Sequence, residues 1–329
     1  MRSKATKEHQ GIGTEVKDAT YLEAARWGKH RGWRYLLGLV VIFFVGLVVG
    51  GIATPRIAFL LGGQEGFAAF RRLDYAAFGP VGGFVAFRAI FPFFLAGILL
   101  AVTLVHRRHP RTLITARERI SWRRVGHGFV AWVVPFCLVA GLGQYLFYPD
   151  TFSLNVDFNF ATFALFVPIA LVFTAIQTTT EELFFRSYIV QGASLVWSNR
   201  VFLALVPAAI FALAHLLNPE ASAGGWLTVF FNYFLVPGLV WTVVSLIDGT
   251  TELAIGVHFA NNIGGVLLFD VAGNAVNTPT LFTISKFHAT YTALSMLVVV
   301  PVFLAIAYKV FKRNEASEPV SHSSRKGRR

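Results

Sequence analysis

Repeated stretches of about 20 apolar residues, set between short polar links, constrain this chain more than any other feature, because each is long enough to cross a hydrocarbon core of roughly 30 Å. Inside lipid a backbone must satisfy its own hydrogen bonds, which leaves helices as the spanning form for runs of this length. The expected fold class is therefore all-α, a polytopic transmembrane helical bundle built as one domain. Composition agrees, with 55% hydrophobic residues, 14% charged residues and a mean hydropathy of +0.60.

The spacing predicts a first span from Tyr35 to Ala53, ended by Thr54 and Pro55, then an interfacial or partly re-entrant outer connection from Ile57 to Pro80 that carries Arg71, Arg72 and Asp74. A second span runs from Gly83 to Val105, with Arg88 near its outer end snorkelling to the headgroups. A third runs from Gly126 to Phe147. The next apolar stretch, Phe160 to Val196, is about 37 residues long and reads as one tilted helix or as a helix broken near Thr178, Thr179 and Thr180. Val201 to Leu217, Trp226 to Ile247, Leu253 to Phe269 and Thr290 to Val310 complete about eight spans.

The net charge of +12 gathers at membrane edges: Lys29, Arg31 and Arg34, then the loop His106 to Arg124, then the tail from Lys309 to Arg329. That is the positive-inside pattern, which makes anionic membrane lipid the expected partner, excludes nucleic acid and places both termini in the cytoplasm. An even number of spans satisfies it; nine would leave one basic end outside. The chain thus divides into a polar cytoplasmic leader (1–34), a first group of spans (35–159), a polar-bearing group (160–270) and a last span with a basic tail (271–329). Within the leader, Tyr21 to Arg34 reads either as an amphipathic helix on the membrane, with Trp27 and Trp33 at the interface, or as a loosely ordered tail. No cleavable signal peptide is expected. The lone Cys137, inside an apolar run, is expected to be packing.

Charge in the later spans needs a reason to be there, since a buried ion costs several kcal/mol unless paired or used. Glu182 and Arg186 are four residues apart, the order and spacing of an ion pair on one helix face. Glu181 lies about 100° round the helix and lacks this partner, as suits a general acid or base. Glu181 and His215 sit at similar counts from the turn at Ser198-Asn199-Arg200, so antiparallel helices bring them to one depth. His258 lies within about 10 Å of that depth, and Asn262 follows it by one turn on the same face. Taken singly, each histidine reads as a helix contact and the Glu–Arg pair as structural. Together they read as a functional centre. Glu252 and Asp270, at the ends of their span, are assigned solvated roles.

These residues resemble the CPBP family of intramembrane endopeptidases, also described as Abi or type II CAAX prenyl proteases. The family pattern Glu-Glu-x-x-x-Arg, Phe-x-x-x-His and His-x-x-x-Asn is matched by Glu181-Glu182 with Arg186, Phe211 with His215, and His258 with Asn262. Ser187 stands where glycine is common. The resemblance makes 160–270 the catalytic core of an integral membrane protein of the bacterial plasma membrane that hydrolyses a peptide bond of a membrane-associated, prenylated or otherwise lipidated substrate. It implies that Glu181 activates water, His215 orients it, His258 and Asn262 stabilise the oxyanion, and Glu182 and Arg186 support Glu181. No cofactor is favoured; a metal-dependent variant would hold zinc on Glu181, His215 and His258. The alternatives are a non-enzymatic scaffold or bacteriocin-immunity-type protein on the same fold, and an ion-coupled transporter. The latter would place charges in both halves of the chain, whereas here they lie in one.

Overall fold

Apolar runs become helices here because lipid offers no other partner for their amides. The computed structural model describes residues 20–311 except 273 and 275; the start of the polar leader and the end of the basic tail lie outside the described residues. Among the described residues the main helical rods are α1 (Gly32–Arg71), α2 (Ala76–Val105), α3 (Trp122–Phe147), α4 (Phe160–Ser194), α5 (Arg200–Ala214), α6 (Pro219–Asp248), α7 (Glu252–Leu268) and α8 (Ala289–Val310). Six of these are long and apolar enough to cross a membrane, while α5 and α7 are shorter and pack among them. The protein is a helical integral membrane bundle.

Its outer surface is apolar, with Leu36, Val40 and Leu60 of α1 all more than 60% exposed. The innermost rod is α7, whose residues Leu253 to His258 are all buried. It crosses α3 at contact distance because both carry glycine there: a Cβ on Gly256 would lie 1.9 Å from the Val125 carbonyl oxygen, and one on Gly128 would lie 2.2 Å from that of Leu253. Around this crossing Trp132, Trp241, Val257 and Phe303 form the largest apolar core. A second core joins Phe84 of α2, Phe166 of α4 and Ile263 of α7.

Several expectations are revised. The first helix does not stop at Thr54 and Pro55; it runs through Pro55 and breaks at Gly62 and Gly63, where φ is +62° at Gly63. The chain then folds back so that a Cβ on Gly66 would meet the Ala58 carbonyl oxygen at 2.7 Å. α4 is unbroken at its threonines, the first of its two readings, and Thr178 and Thr180 return their hydroxyls to the carbonyls of Thr174 (2.9 Å) and Ile176 (2.6 Å) on the same helix. From Glu182 to Ile189 its turns widen to the i→i+5 pattern. α5 ends at Ala214, short of Leu217, ahead of Pro219.

The polar links also hold more structure than their composition suggested. Phe152–Leu154 (β1), Phe269–Val271 (β2) and Phe282–Ile284 (β3) form a small sheet, with β3 antiparallel to β1 and parallel to β2. At the basic end, the described part of the leader packs against the bundle. Tyr21 and Ala24 are buried, the Tyr21 amide donates to Gly249 O (3.0 Å), and Gln191 donates to Tyr21 O (2.7 Å). Glu252 is likewise not solvated: it is wholly buried, pairs with Arg124 at 2.8 Å and accepts from the Ser121 amide at 2.7 Å.

Candidate active site

The pair read from the i,i+4 spacing forms inside α4. Arg186 Nη1 lies 3.1 Å from Glu182 Oε1, with both side chains fully buried. The guanidinium also donates to the carbonyl of Pro237 in α6. The amide of Trp241 bonds back to Val236 rather than to that oxygen. Aromatic faces enclose the remaining sides of the cation, with Phe211 at 4.4 Å and Trp241 at 5.6 Å.

Glu182 has a second partner that sequence spacing did not reveal. His258 Nδ1 lies 2.7 Å from Glu182 Oε1. A carboxylate held by a guanidinium accepts, so Nδ1 of His258 carries the proton and donates. Nε2 of the same ring is thereby turned to Glu181, 3.7 Å from Oε2. The expected division of labour, with Glu182 bound to Arg186 alone, is corrected: Glu182 joins Arg186 to His258.

His215 is oriented by a different device. It is the C-cap of α5 rather than a mid-helix residue, and its Nδ1 lies 2.7 Å from the carbonyl of Phe211. The last carbonyls of a helix lack internal partners, and a ring N–H from the cap satisfies one of them. Because a carbonyl only accepts, Nδ1 carries the proton here too, and Nε2 faces Glu181 Oε2 at 3.8 Å. The ring is stacked between Phe211 (4.1 Å) and Tyr233 (5.0 Å), which fixes its plane.

Two imidazole Nε2 atoms thus converge on one oxygen of Glu181. Distances of 3.7 and 3.8 Å exceed a direct hydrogen bond but leave room for a small oxygen species to bridge Glu181 Oε2 and a ring nitrogen. Glu181 and His215 retain side-chain exposures of 9% and 19%, whereas Glu182 and Arg186 have none, so Glu181 is the reachable carboxylate. The same three donors are those a divalent ion would take. In a tetrahedral zinc site with bonds of about 2.0 Å, ligand atoms sit roughly 3.3 Å apart, closer than here. Among the described residues no group of three His, Cys, Asp or Glu is drawn in to metal-holding spacing.

Asn262 follows His258 by a turn of α7, and no hydrogen bond ties it to Glu181. Its Oδ1 accepts from Asn261 (3.1 Å), whose own Oδ1 accepts from Trp132 Nε1 (3.2 Å). With its oxygen held, the Asn262 amide nitrogen is left to donate elsewhere.

Two further residues reach Glu181. Gln177, one turn earlier on α4, donates Nε2 to Glu181 Oε1 at 3.1 Å. Arg88 of α2 donates Nε to Gln177 Oε1 at 2.9 Å. Arg88 does not snorkel to the headgroups: it is 8% exposed and lies over the Phe84 ring at 4.0 Å. Glu181 is therefore not the unpartnered carboxylate expected from spacing. Gln177 was visible in the sequence as a lone amide four residues before Glu181; nothing in the sequence pointed to its partner on α2.

The chain is 30% identical over 295 residues to the uncharacterized protein YyaK of Bacillus subtilis (strain 168), an alignment covering 88% of this chain and 96% of that protein. No solved structure matches. The family model for the type II CAAX prenyl endopeptidase Rce1-like proteins matches residues 161–264, a span that contains Gln177, Glu181, Glu182, Arg186, His215, His258 and Asn262. The chain therefore belongs to the Rce1-like family of type II CAAX prenyl endopeptidases.

Proposed function

We propose that this protein is an intramembrane endopeptidase that hydrolyses a peptide bond in a membrane-associated, lipid-bearing protein or peptide, with Glu181 as general base. The observation that carries the reading is the convergence of Glu181 Oε2 with Nε2 of His215 and His258, each ring locked from its far side. Charged groups fixed at this depth without a task would be an expense that apolar packing avoids.

In this reading a water held by Glu181 Oε2 and His215 gives a proton to the carboxylate as its oxygen attacks the scissile carbonyl carbon. The carbonyl oxygen then carries negative charge. His258 and the Asn262 amide supply the donors that stabilise it. For Nε2 of His258 to donate, the ring must be an imidazolium, since Nδ1–H is already committed to Glu182. Glu182, backed by Arg186, is placed to hold that extra charge. As the tetrahedral species collapses, the C–N bond breaks and the proton on Glu181 passes to the departing amine, which restores the base.

The Rce1-like family makes a prenylated C-terminal segment the substrate class to try first. The positive-inside pattern favours cytoplasmic termini, and the Bacillus relative favours a bacterial plasma membrane. The test is to reconstitute the purified protein in vesicles with a prenylated peptide and weigh the products. Two fragments whose masses sum to the substrate plus one water are expected, unchanged by a strong chelator. Intact substrate overturns the endopeptidase reading. Cleavage that a chelator abolishes and zinc restores overturns the metal-independent mechanism, with Glu181, His215 and His258 then the ligands.

A further inference from the structure

Arg88 is the least expected charge in the bundle. Its guanidinium sits among aromatic rings of α2, with Phe84 at 4.0 Å and Phe87 at 5.6 Å, where an ion needs a partner. Among the described residues its one hydrogen bond is to Gln177, and Gln177 passes a hydrogen bond on to Glu181. The orientation of that amide follows from its neighbours. A flipped Gln177 would turn its NH2 against the guanidinium and its oxygen against the carboxylate, both unfavourable. The cation thereby decides which end of the amide Glu181 meets.

The interposed amide matters chemically. A guanidinium in direct contact takes a carboxylate in a two-pronged pair and occupies both oxygens. Through Gln177, Glu181 spends only Oε1 and leaves Oε2 to the histidines. The charges in this part of the bundle also balance in pairs: Glu182 with Arg186 directly, and Glu181 with Arg88 at one remove. The other groups facing Glu181 are His215 and His258 at close range, with Arg186 and Tyr233 within electrostatic reach.

We propose that Arg88 is a positioning residue for the reaction: acting through Gln177, it holds Glu181 by Oε1 and keeps the carboxylate turned with Oε2 toward the two histidines. The inference rests on Glu181 being the base, and its test includes a readout that needs no cleavage. A hydrophobic carbodiimide reaches a buried carboxyl more readily once its oxygens are released from their hydrogen-bond donors, and peptide mass analysis locates the adduct. At pH 7 in detergent, Arg88→Gln and Gln177→Ala are each expected to raise labelling of Glu181 at least threefold. Labelling of Glu182 should stay constant. Arg88→Lys should restore most of the wild-type behaviour, and the Arg88→Gln/Gln177→Ala double variant should match the single variants within twofold, since both act on one chain of contacts. In the cleavage assay the same variants should lower kcat about tenfold or more with KM within twofold.

Unchanged Glu181 labelling in Arg88→Gln and Gln177→Ala overturns the proposal. So does a raised KM at constant kcat in Arg88→Gln, which would make Arg88 a substrate contact. If Arg88→Gln fails to fold, Gln177→Ala and Arg88→Lys carry the same comparison. An absence of cleavage by wild-type protein alongside altered labelling in the variants would sink the endopeptidase reading and leave the relay standing.

Discussion

Replacing Glu182 by glutamine separates what the buried carboxylate does for the fold from what it does for the site. Glu182 Oε1 lies 3.1 Å from Arg186 Nη1 and 2.7 Å from His258 Nδ1, and none of the Glu182 and Arg186 side chains is exposed. At 3.1 Å and an effective dielectric of about 20, the Glu182–Arg186 attraction is roughly 5 kcal/mol before desolvation is counted. Removing one member of such a pair strands the other, which typically costs about 3–5 kcal/mol. Arg186 keeps the Pro237 carbonyl, the aromatic faces and the neutral glutamine oxygen, with Glu181 farther off, as partial compensation. Glu182→Gln is therefore expected to destabilise the bundle by about 3 kcal/mol, measured by denaturant unfolding in mixed micelles.

A second substitution makes the claim sharper. Arg186→Met in the Glu182→Gln background removes the stranded cation and fills its space with an apolar chain, and should recover at least half of the lost stability. It should not recover cleavage, because His258 still lacks the carboxylate at its Nδ1. Equal stability of Glu182→Gln and wild type would refute the energetic reasoning. Recovery of both stability and activity in the double variant would refute the role given to the Glu182–His258 contact.

Two further outcomes follow from the geometry. Asn262→Ala leaves the fold intact, since Asn262 makes one hydrogen bond to its neighbour Asn261, and should lower kcat by about 10²–10³ if its amide serves the oxyanion; a change below threefold would remove it from the site. At the basic end, His106 is buried past the end of α2, bonded to Lys29 O (3.0 Å) and the Tyr188 hydroxyl (2.9 Å), and burial pushes its imidazole down to about 4, helped by Arg108 and Arg34. The native state thus holds the neutral ring while the unfolded chain titrates near 6.5, so this contribution is complete above about pH 6.5 and is lost as pH falls toward 4. Melting points measured at pH 7 and pH 5 should fall further for wild type than for His106→Gln; an identical fall would exclude His106 as the cause.

The spans were legible in sequence because the bilayer leaves a long apolar run no alternative to a helix, and the Glu182–Arg186 pair was legible because both residues share one helix. Helix ends were harder. Pro55 reads as a stop, yet prolines are tolerated inside membrane helices, and the true break waits for Gly63, where a positive φ is available. Contacts between helices were not legible, because they depend on how each rod is rotated about its axis. Counting from the turns placed Glu181, His215 and His258 at a common depth, but depth says nothing of which ring nitrogen faces which carboxylate. His258 turned out to touch both glutamates, and Arg88, which length and position made a snorkelling side chain, turned inward instead. The burial of Tyr21 was hidden for the same reason: it is ordinary in its local sequence and takes its place from Gly249, Gln191, Val190 and Leu203.

The central claim is that Glu181 is the base. Its most direct test is the single-turnover cleavage rate of a vesicle-embedded peptide by wild type and by Glu181→Gln, a substitution that preserves shape and a hydrogen-bonding side chain while removing the proton acceptor. A fall of at least 10²-fold at unchanged unfolding stability is predicted. Cleavage by Glu181→Gln at the wild-type rate would contradict it.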